Sequence, residues 1–466
     1  GARTMVAVLL PILLATVPVT LGHGSHHWRH SHHGRHHHHR HHHHHEDEDN
    51  GPFDLMAALN DIAAFESDKY NCTIAVSFRK TGMDRTSSVI AGLSDFDTGR
   101  KSQLSDKFVW GSVTKVVTGS SILRLVDQGV FGLDDGIIDL VDPILEKMAD
   151  AEKKKKYGRS LEELFGPEVK KVTIRDLLGM KSGIPDFDTA KPEGKYPTDS
   201  FRATVYANPE HVFGPMELLN LDWVRTGELA FEPGSRFGYS STNYMLLGFI
   251  LAAQNGYSSW KNFPQSDAFP KELKEEFQNI SFATSGAPDN LTLIHGYDRT
   301  SYNNQTGSKD VWTTSGVFAG WTASDIVATV GDVANMTFEV YGPDQKIISK
   351  KIQEEMIPDQ GFYGLATMDF DGFTGNESLP EHHAYGHLGA TYGYQSIVSY
   401  HPYLDIAIAI ASSIETDRQN QPADTLCLTY NTMLNHQLGK PKPSCKYEKS
   451  SYYRATCTCT TPSIED

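Results

Sequence analysis

Residues 108–115 read FVWGSVTK, that is Phe108-Val109-Trp110-Gly111-Ser112-Val113-Thr114-Lys115. From Ser112 the apolar residues recur at helical spacing as far as 128, and Gly129 closes the pattern. The stretch predicts a strong amphipathic helix over 112–128. Lys115 then lies one turn beyond Ser112 on the same face. The start of a helix also offers unpaired backbone N–H groups and the positive end of the macrodipole. A serine oxygen placed there can be activated, and a developing oxyanion stabilised. The plainer reading is that Ser112 caps the helix. Helix logic alone leaves both readings open. Ser-x-x-Lys also occurs at Ser77/Lys80 and Ser258/Lys261. The first lies in an alternating strand, where the two side chains face opposite ways. The second sits in a loop-like segment beside Trp260.

Around this helix the chain reads as a mixture of periods. A helix is expected over 53–67, and strands over 72–79 and 88–93 with a polar turn between them. The charged run Glu152–Lys156 suits a solvated helix face. A short helix over 173–182 ends at Gly183, and 185–235, rich in Pro, Gly and aromatics, should form long ordered loops. A helix resumes over 244–254. Residues 261–312 carry three glycosylation motifs and are expected at the surface. Helices follow over 324–341 and 346–357, then strands over 384–400 and 404–413, and a last helix over 423–437. Strand, then helices, then strands predicts an α+β fold: an antiparallel sheet flanked by helices and interrupted by an inserted helical lobe. There is no internal repeat.

The chain has 466 residues, with 42 basic against 58 acidic, a net charge of −16. Residues 1–50 hold four Arg and four acids, so the deficit lies in the remainder. That argues against nucleic acid as a partner, which needs a basic footprint, and against docking on an anionic membrane. Residues 5–22, MVAVLLPILLATVPVTLG, are short, apolar and proline-interrupted, which predicts a secretory signal peptide over 1–22. Retained, the run would instead tether a glycoprotein to a membrane. Fifteen of the 22 His lie between His23 and His45, ahead of Glu46-Asp47-Glu48-Asp49. A 23–50 segment so poor in apolar groups is expected to be disordered, with imidazoles able to hold divalent metal ions. The bland alternative is a tract that only gains charge below about pH 6.5.

Asn-x-Ser/Thr occurs at Asn71, Asn279, Asn290, Asn304, Asn335 and Asn376, six sites among 17 asparagines. That excess supports an exported glycoprotein. The five Cys (Cys72, Cys427, Cys445, Cys457 and Cys459) allow up to two disulfides and one free thiol in an oxidising compartment, with connectivity open. The body is expected to span 53–438, and 439–466 to form a Cys-containing tail.

Several chemistries find no support. There is no H-E-x-x-H, no G-x-S-x-G elbow, no P-loop and no G-x-G-x-x-G. His383 and His387 have helical i, i+4 spacing, yet AYGHLGATYGY reads as a loop entering a strand, so no metal is expected in the body. Nucleophilic catalysis needs a proton shuttle and an electrophile holder besides Ser112 and Lys115. Two segments offer them: Pro233–Gly248 (PGSRFGYSSTNYMLLG) and Gly386–Tyr394 (GHLGATYGY).

With these segments in place, the sequence resembles the serine β-lactamase and penicillin-binding-protein superfamily, on the branch of class C β-lactamases, D-Ala-D-Ala carboxypeptidases and related esterases. The resemblance runs from about Asp54 to Leu438. It is carried in order by AGLSDFDTGR, FVWGSVTK, LVDQGVFGLDD, VTIRDLLGMKSGIPDF, FEPGSRFGYSSTNYMLLG, GWTASDI and GHLGATYGY. It implies that Ser112 is the acylated nucleophile, that Lys115 helps remove its proton, and that Tyr239 shuttles a proton to the leaving group. His387-Leu388-Gly389 takes the place of the Lys-Thr-Gly triad. The N–H groups of Ser112 and Ala390 would form the oxyanion hole, with Ser241 and Gly389 on the substrate side.

Two departures bear on substrate. Ser241 stands where the family often has Asn, while Asn243 is out of register. Leu388 replaces a hydroxyl residue, and His387 is less positive than Lys. Both favour a neutral ester or amide over a carboxylate-bearing β-lactam. The expected function is therefore a secreted serine hydrolase acting through an acyl-enzyme on a D-amino-acyl peptide or small ester, with no cofactor implied. The alternative is a catalytically silent binding glycoprotein of the same fold that recruits metal through its His tract.

Overall fold

The computed structural model describes residues 53–151, 156–188, 200–258, 260–263, 269–283, 294–300, 308–440, 445–447 and 457–459. The chain divides into Gly1–Pro52, outside the described residues, and Phe53–Asp466. The expectations for the apolar run, the His tract, Asn290, Asn304 and most of Glu152–Lys156 therefore lie outside them.

Helix α1, Leu55–Tyr70, starts where the Asp54 carboxylate accepts from the N–H groups of Met56 and Ala57, and stops at Asn71 in the left-handed region. Two strands follow, β1 (Ile74–Lys80) and β2 (Ser87–Ala91). Four more come late: β3 (Met368–Asp369), β4 (Tyr385–Thr391), β5 (Tyr394–His401) and β6 (Ile406–Ser412). They form one antiparallel sheet in the order β3-β4-β5-β6-β1-β2. The register sets Ile397 opposite Ile410, and Ile410 opposite Val76.

Every residue of β5 and β6 is buried, so both sheet faces are covered. Neighbouring residues of β1 show what covers them. Arg79 reaches Glu339 of α5 (Val330–Tyr341) at 2.6 Å. Lys80, pointing the other way, reaches Gln437 of α6 (Asn420–Gln437) at 3.2 Å. Helix α6 packs with α1 on that second face. The near-continuous apolar run of β6 is what two-sided burial demands, while β5 buries Gln395, Ser396, Ser399 and His401 among its apolar residues.

Between β2 and β3 runs the helical insertion. Its centre is α2, Thr114–Asp127, in which every residue from Thr114 to Leu123 is buried. Helix α3 is Ser200–Ala207, and α4, Ser241–Gln254, packs on α2. The predicted 112–128 helix thus begins as a 3-10 turn, Gly111–Val113, before α2 proper.

Several boundaries differ from the sequence reading. The 173–182 helix is only Ile174–Leu178, held at its start by a Thr173/Asp176 capping box and ended at Gly179. The expected loops of 185–235 contain α3 and the helix Pro215–Leu219. The 324–341 helix is split. Ile326–Ala328 is a β-branched strand paired with Phe108–Val109 and Ser281–Phe282, and a Thr329/Asp332 capping box starts α5 after it. The 261–312 segment is not simply surface, because Phe263 and Phe282 bury their rings around Trp321. Cys72 is a buried free thiol, and the buried Cys427 points its Sγ at Thr374 O, 3.9 Å away. In the tail, the backbone of Cys445–Tyr447 pairs antiparallel with Cys457–Cys459.

Candidate active site

The nucleophile candidate sits where two backbones nearly touch. Gly111 has φ +55, and a Cβ there would lie 2.5 Å from the Ala390 nitrogen. Only glycine satisfies both the left-handed backbone and that approach. A Cβ on Gly389 would run into the Trp110 carbonyl, the same carbonyl that accepts from Ser396 Oγ at 2.8 Å. Trp110 itself is buried, its indole N–H donating to Ala328 O at 3.1 Å. These contacts seat the Gly111–Val113 turn on β4 and β5, with Gly111, the residue before Ser112, against the Ala390 backbone.

Ser112 does not cap the helix: the N-cap position is Val113, with no side-chain capping bond. Its oxygen instead meets two functional groups. Lys115 Nζ lies 2.8 Å away, and the Tyr239 hydroxyl donates to it at 2.8 Å. Tyr239 is delivered by the residues ahead of α4, where Gly238 N–H donates to Met180 O at 2.8 Å. Ser112 and Tyr239 are half-buried and within reach of substrate, whereas Lys115 is fully buried.

Lys115 also donates to Ala323 O at 2.9 Å and to Ser241 Oγ at 3.3 Å. The missing Asn is therefore replaced in contact, though not in reach. Asn243 points elsewhere, taking the Ser182 hydroxyl at 2.7 Å. Burial pushes the Lys115 ammonium down to about 7, against the opposing pull of Asp186, Asp188 and Asp325. Burial raises Asp188 to about 6 and Asp325 to about 8. Asp186 accepts the Ser241 N–H at 2.9 Å, which ties this acidic surround to the first turn of α4.

His387 is not in contact with that trio. It is buried in β4, with Nδ1 2.6 Å from Leu388 O and Nε2 3.0 Å from the Tyr363 hydroxyl. A carbonyl can only accept, so Nδ1 carries the proton and Nε2 accepts from Tyr363. Burial, with the nearby Lys115 charge, lowers His387 to about 3, so it is uncharged. Tyr363 stacks edge-on against Tyr239 with ring centres 6.3 Å apart. The i, i+4 spacing of His383 and His387 makes no helical pair, because 385–391 is strand and His383 follows a 3-10 turn. Among the described residues there is no group of three or more His, Cys, Asp or Glu placed to hold a metal.

Sequence reasoning did not assign Ala323, Asp186, Asp188, Asp325 or Tyr363. Asp186 and Asp325 stand in the quoted landmarks VTIRDLLGMKSGIPDF and GWTASDI, and Asp188 lies one residue past the first, all as carboxylates near apolar residues, which is the signal that was available. Ala323 acts through its carbonyl and leaves no such signal. Of the described glycosylation motifs, Asn71, Asn279 and Asn376 are exposed. Asn335 sits within α5, donating to Glu276 at 2.6 Å and accepting from Arg79, which makes it the least accessible.

The chain is similar in fold and in sequence to several known proteins. Its fold matches that of D-amino acid amidase from Ochrobactrum anthropi SV3, with a TM-score of 0.60, 19% identity, and coverage of 82% of this chain and 100% of that one. It also matches an octameric penicillin-binding protein homologue from Pyrococcus abyssi, with a TM-score of 0.57, 21% identity, and coverage of 83% and 78%. In sequence it is 25% identical to Protein flp of Staphylococcus aureus over 160 residues, which is 34% of this chain and 26% of that protein. It is 26% identical to a probable fimbrial assembly protein FimD of Dichelobacter nodosus over 242 residues, 51% of each. The chain thus spans about a quarter of the length of Protein flp. The beta-lactamase family model matches residues 75–426, most of the chain. With that match and this fold, the chain belongs to the beta-lactamase family, within the serine β-lactamase and penicillin-binding-protein superfamily.

Proposed function

We propose that the protein is a serine hydrolase that forms an acyl-enzyme on Ser112 and acts on a neutral ester or amide, either a D-amino-acyl peptide or a small ester. One observation carries the reading: a buried lysine and a tyrosine both lie 2.8 Å from the same serine oxygen. Neutral Lys115 takes the Ser112 hydroxyl proton as Oγ attacks the carbonyl carbon. The oxyanion settles toward the N–H groups of Ser112 and Ala390. Tyr239 passes a proton to the leaving nitrogen or oxygen as its bond to the carbonyl carbon breaks, and Lys115 restores the Tyr239 proton. In the second step the Tyr239/Lys115 pair deprotonates a water, which attacks the ester carbonyl. The acid leaves and Ser112 recovers its proton.

The preference for a neutral substrate is supported by an uncharged His387 and a buried Leu388 that offers no hydroxyl. The same reading includes export, N-glycosylation and divalent-metal capture by residues 23–45, all supported by the sequence.

The test is turnover of a panel of neutral esters and D-amino-acyl anilides by wild type and Ser112→Ala. Ser112→Ala is expected to lose all hydrolysis while keeping its fold. Unchanged activity in that variant contradicts the proposal.

A further inference from the structure

Behind the site lies a buried charge cluster that the chemistry above does not use. Arg202 of α3 donates to both oxygens of Glu415, at 2.8 and 2.6 Å, and to Asp298 Oδ2 at 2.7 Å. Tyr206 donates to the same Asp298 oxygen, and Thr300 N and Oγ1 hold the other at 2.9 and 2.7 Å. Burying such a group is costly unless its charge is paired, and here Arg202 faces two carboxylates.

Its outlet is the turn between β4 and β5. Glu415 Oε2 accepts the Gly393 N–H at 3.2 Å, and Gly393 O accepts from Tyr297 at 3.1 Å. The Arg202 guanidinium lies over the Tyr392 ring, 4.6 Å from its centre. The Tyr392 hydroxyl donates to Asp188 at 3.1 Å. Asp188 follows by two residues Asp186, which holds the first turn of α4 through Ser241 N–H. Tyr392 stands two residues after Ala390, whose backbone abuts Gly111. The turn is thus pinned from behind by the Arg202–Glu415 pair and from the cleft side by Asp188.

We infer that Tyr392 is a positioning residue: the bond from its hydroxyl to Asp188, backed by the Arg202–Glu415 pair, fixes the hairpin end that sets the Ala390 N–H against Ser112. The inference rests on the reading of Ser112 as the acylated nucleophile. An oxyanion donor acts only at the correct distance, and displacement by about an ångström costs up to roughly a hundredfold in rate. Tyr392→Phe keeps the ring under Arg202 and removes only the hydroxyl.

The experiment compares wild type, Tyr392→Phe and Glu415→Gln in the full chain, with active sites counted by fluorophosphonate titration. In Tyr392→Phe, kcat per titrated site is expected to fall about tenfold with KM within about twofold. Glu415→Gln is expected to show the same split, and decides the matter should Tyr392→Phe not fold. A merely structural role lowers the melting temperature and the number of titrated sites but leaves kcat per site unchanged. That result, or a rise in KM alone, overturns the inference. A folded wild type with no titratable site removes the reading of Ser112 and this inference together, so the two failures are told apart.

Discussion

Lys115 Nζ lies 2.8 Å from Ser112 Oγ inside the protein, where it also donates to the Ala323 carbonyl at 2.9 Å. The pair can exchange donor and acceptor. Charged, Lys115 donates to Ser112; neutral, it accepts the serine proton. Burial lowers the ammonium to about 7, so the neutral form is accessible near neutrality without a histidine.

A pH dependence follows. The base works deprotonated, so kcat/KM of the free enzyme should rise with pH through a midpoint near 7 and then level off. Asp188 raises the Lys115 value through its charge, so Asp188→Asn should move that midpoint to lower pH. Lys115→Arg, whose guanidinium keeps its proton, should lose the rising limb and most of the rate. Stopped-flow acylation from pH 5 to 9 measures all three.

Tyr239→Phe removes the second partner of Ser112 without altering the ring that packs on Tyr363. Loss of a general acid–base group costs about 10²- to 10⁴-fold. The fall should appear in kcat and be smaller for activated esters, whose leaving group needs no proton. Rates on a paired ester and amide test it.

Gly111→Ala should damage the fold and the site together. A left-handed backbone costs a residue with a side chain about 1–2 kcal/mol, before its clash with Ala390 is counted. Thermal melting should show a drop of several degrees, with little fluorophosphonate labelling of the fraction that remains folded.

His387 and His401 are both buried and lowered to about 3, first by burial. The unfolded chain binds their protons near pH 6.5, well before the folded state does. Their neutral burial therefore costs no stability above about pH 6.5, and stability falls as pH drops from there toward 3. Each group contributes a slope of about 1.4 kcal/mol per pH unit. His387→Gln should flatten the acid side of a urea-melt series by one proton. An unaltered slope contradicts the assignment.

Glycan occupancy should follow exposure. In material expressed through a eukaryotic secretory pathway, glycosidase-sensitive mass is expected at Asn71, Asn279 and Asn376, with Asn335 unmodified. Peptide mapping before and after deglycosylation checks each site.

Much of this architecture was legible because the sequence patterns are local. The apolar run of β6 and the periodicity of α2 follow directly from two-sided or central burial. Ser112, Lys115 and Tyr239 stood in motifs whose order implied their meeting, and they meet. Other features depend on tertiary contact and left little trace. The Ala323 carbonyl is a backbone atom that any residue supplies. His387 read as a member of the site, yet its nitrogens are spent on Leu388 O and Tyr363, one layer behind. The split at Ile326–Ala328 was missed because a short apolar run fits either period, and only its pairing with Phe108–Val109 decides. The 261–312 segment was misjudged from its glycosylation motifs, while its aromatics Phe263 and Phe282, which anchor it around Trp321, were the better guide.

The central claim is that Ser112 is an activated nucleophile. The most direct measurement is intact mass and peptide mapping after exposure to a fluorophosphonate, with Ser112→Ala treated alongside. The account predicts a single adduct on the peptide holding Ser112, formed faster above pH 7 and absent from the variant. Folded wild type that takes no adduct, from either the fluorophosphonate or an activated ester, would contradict it and make a binding role the better reading.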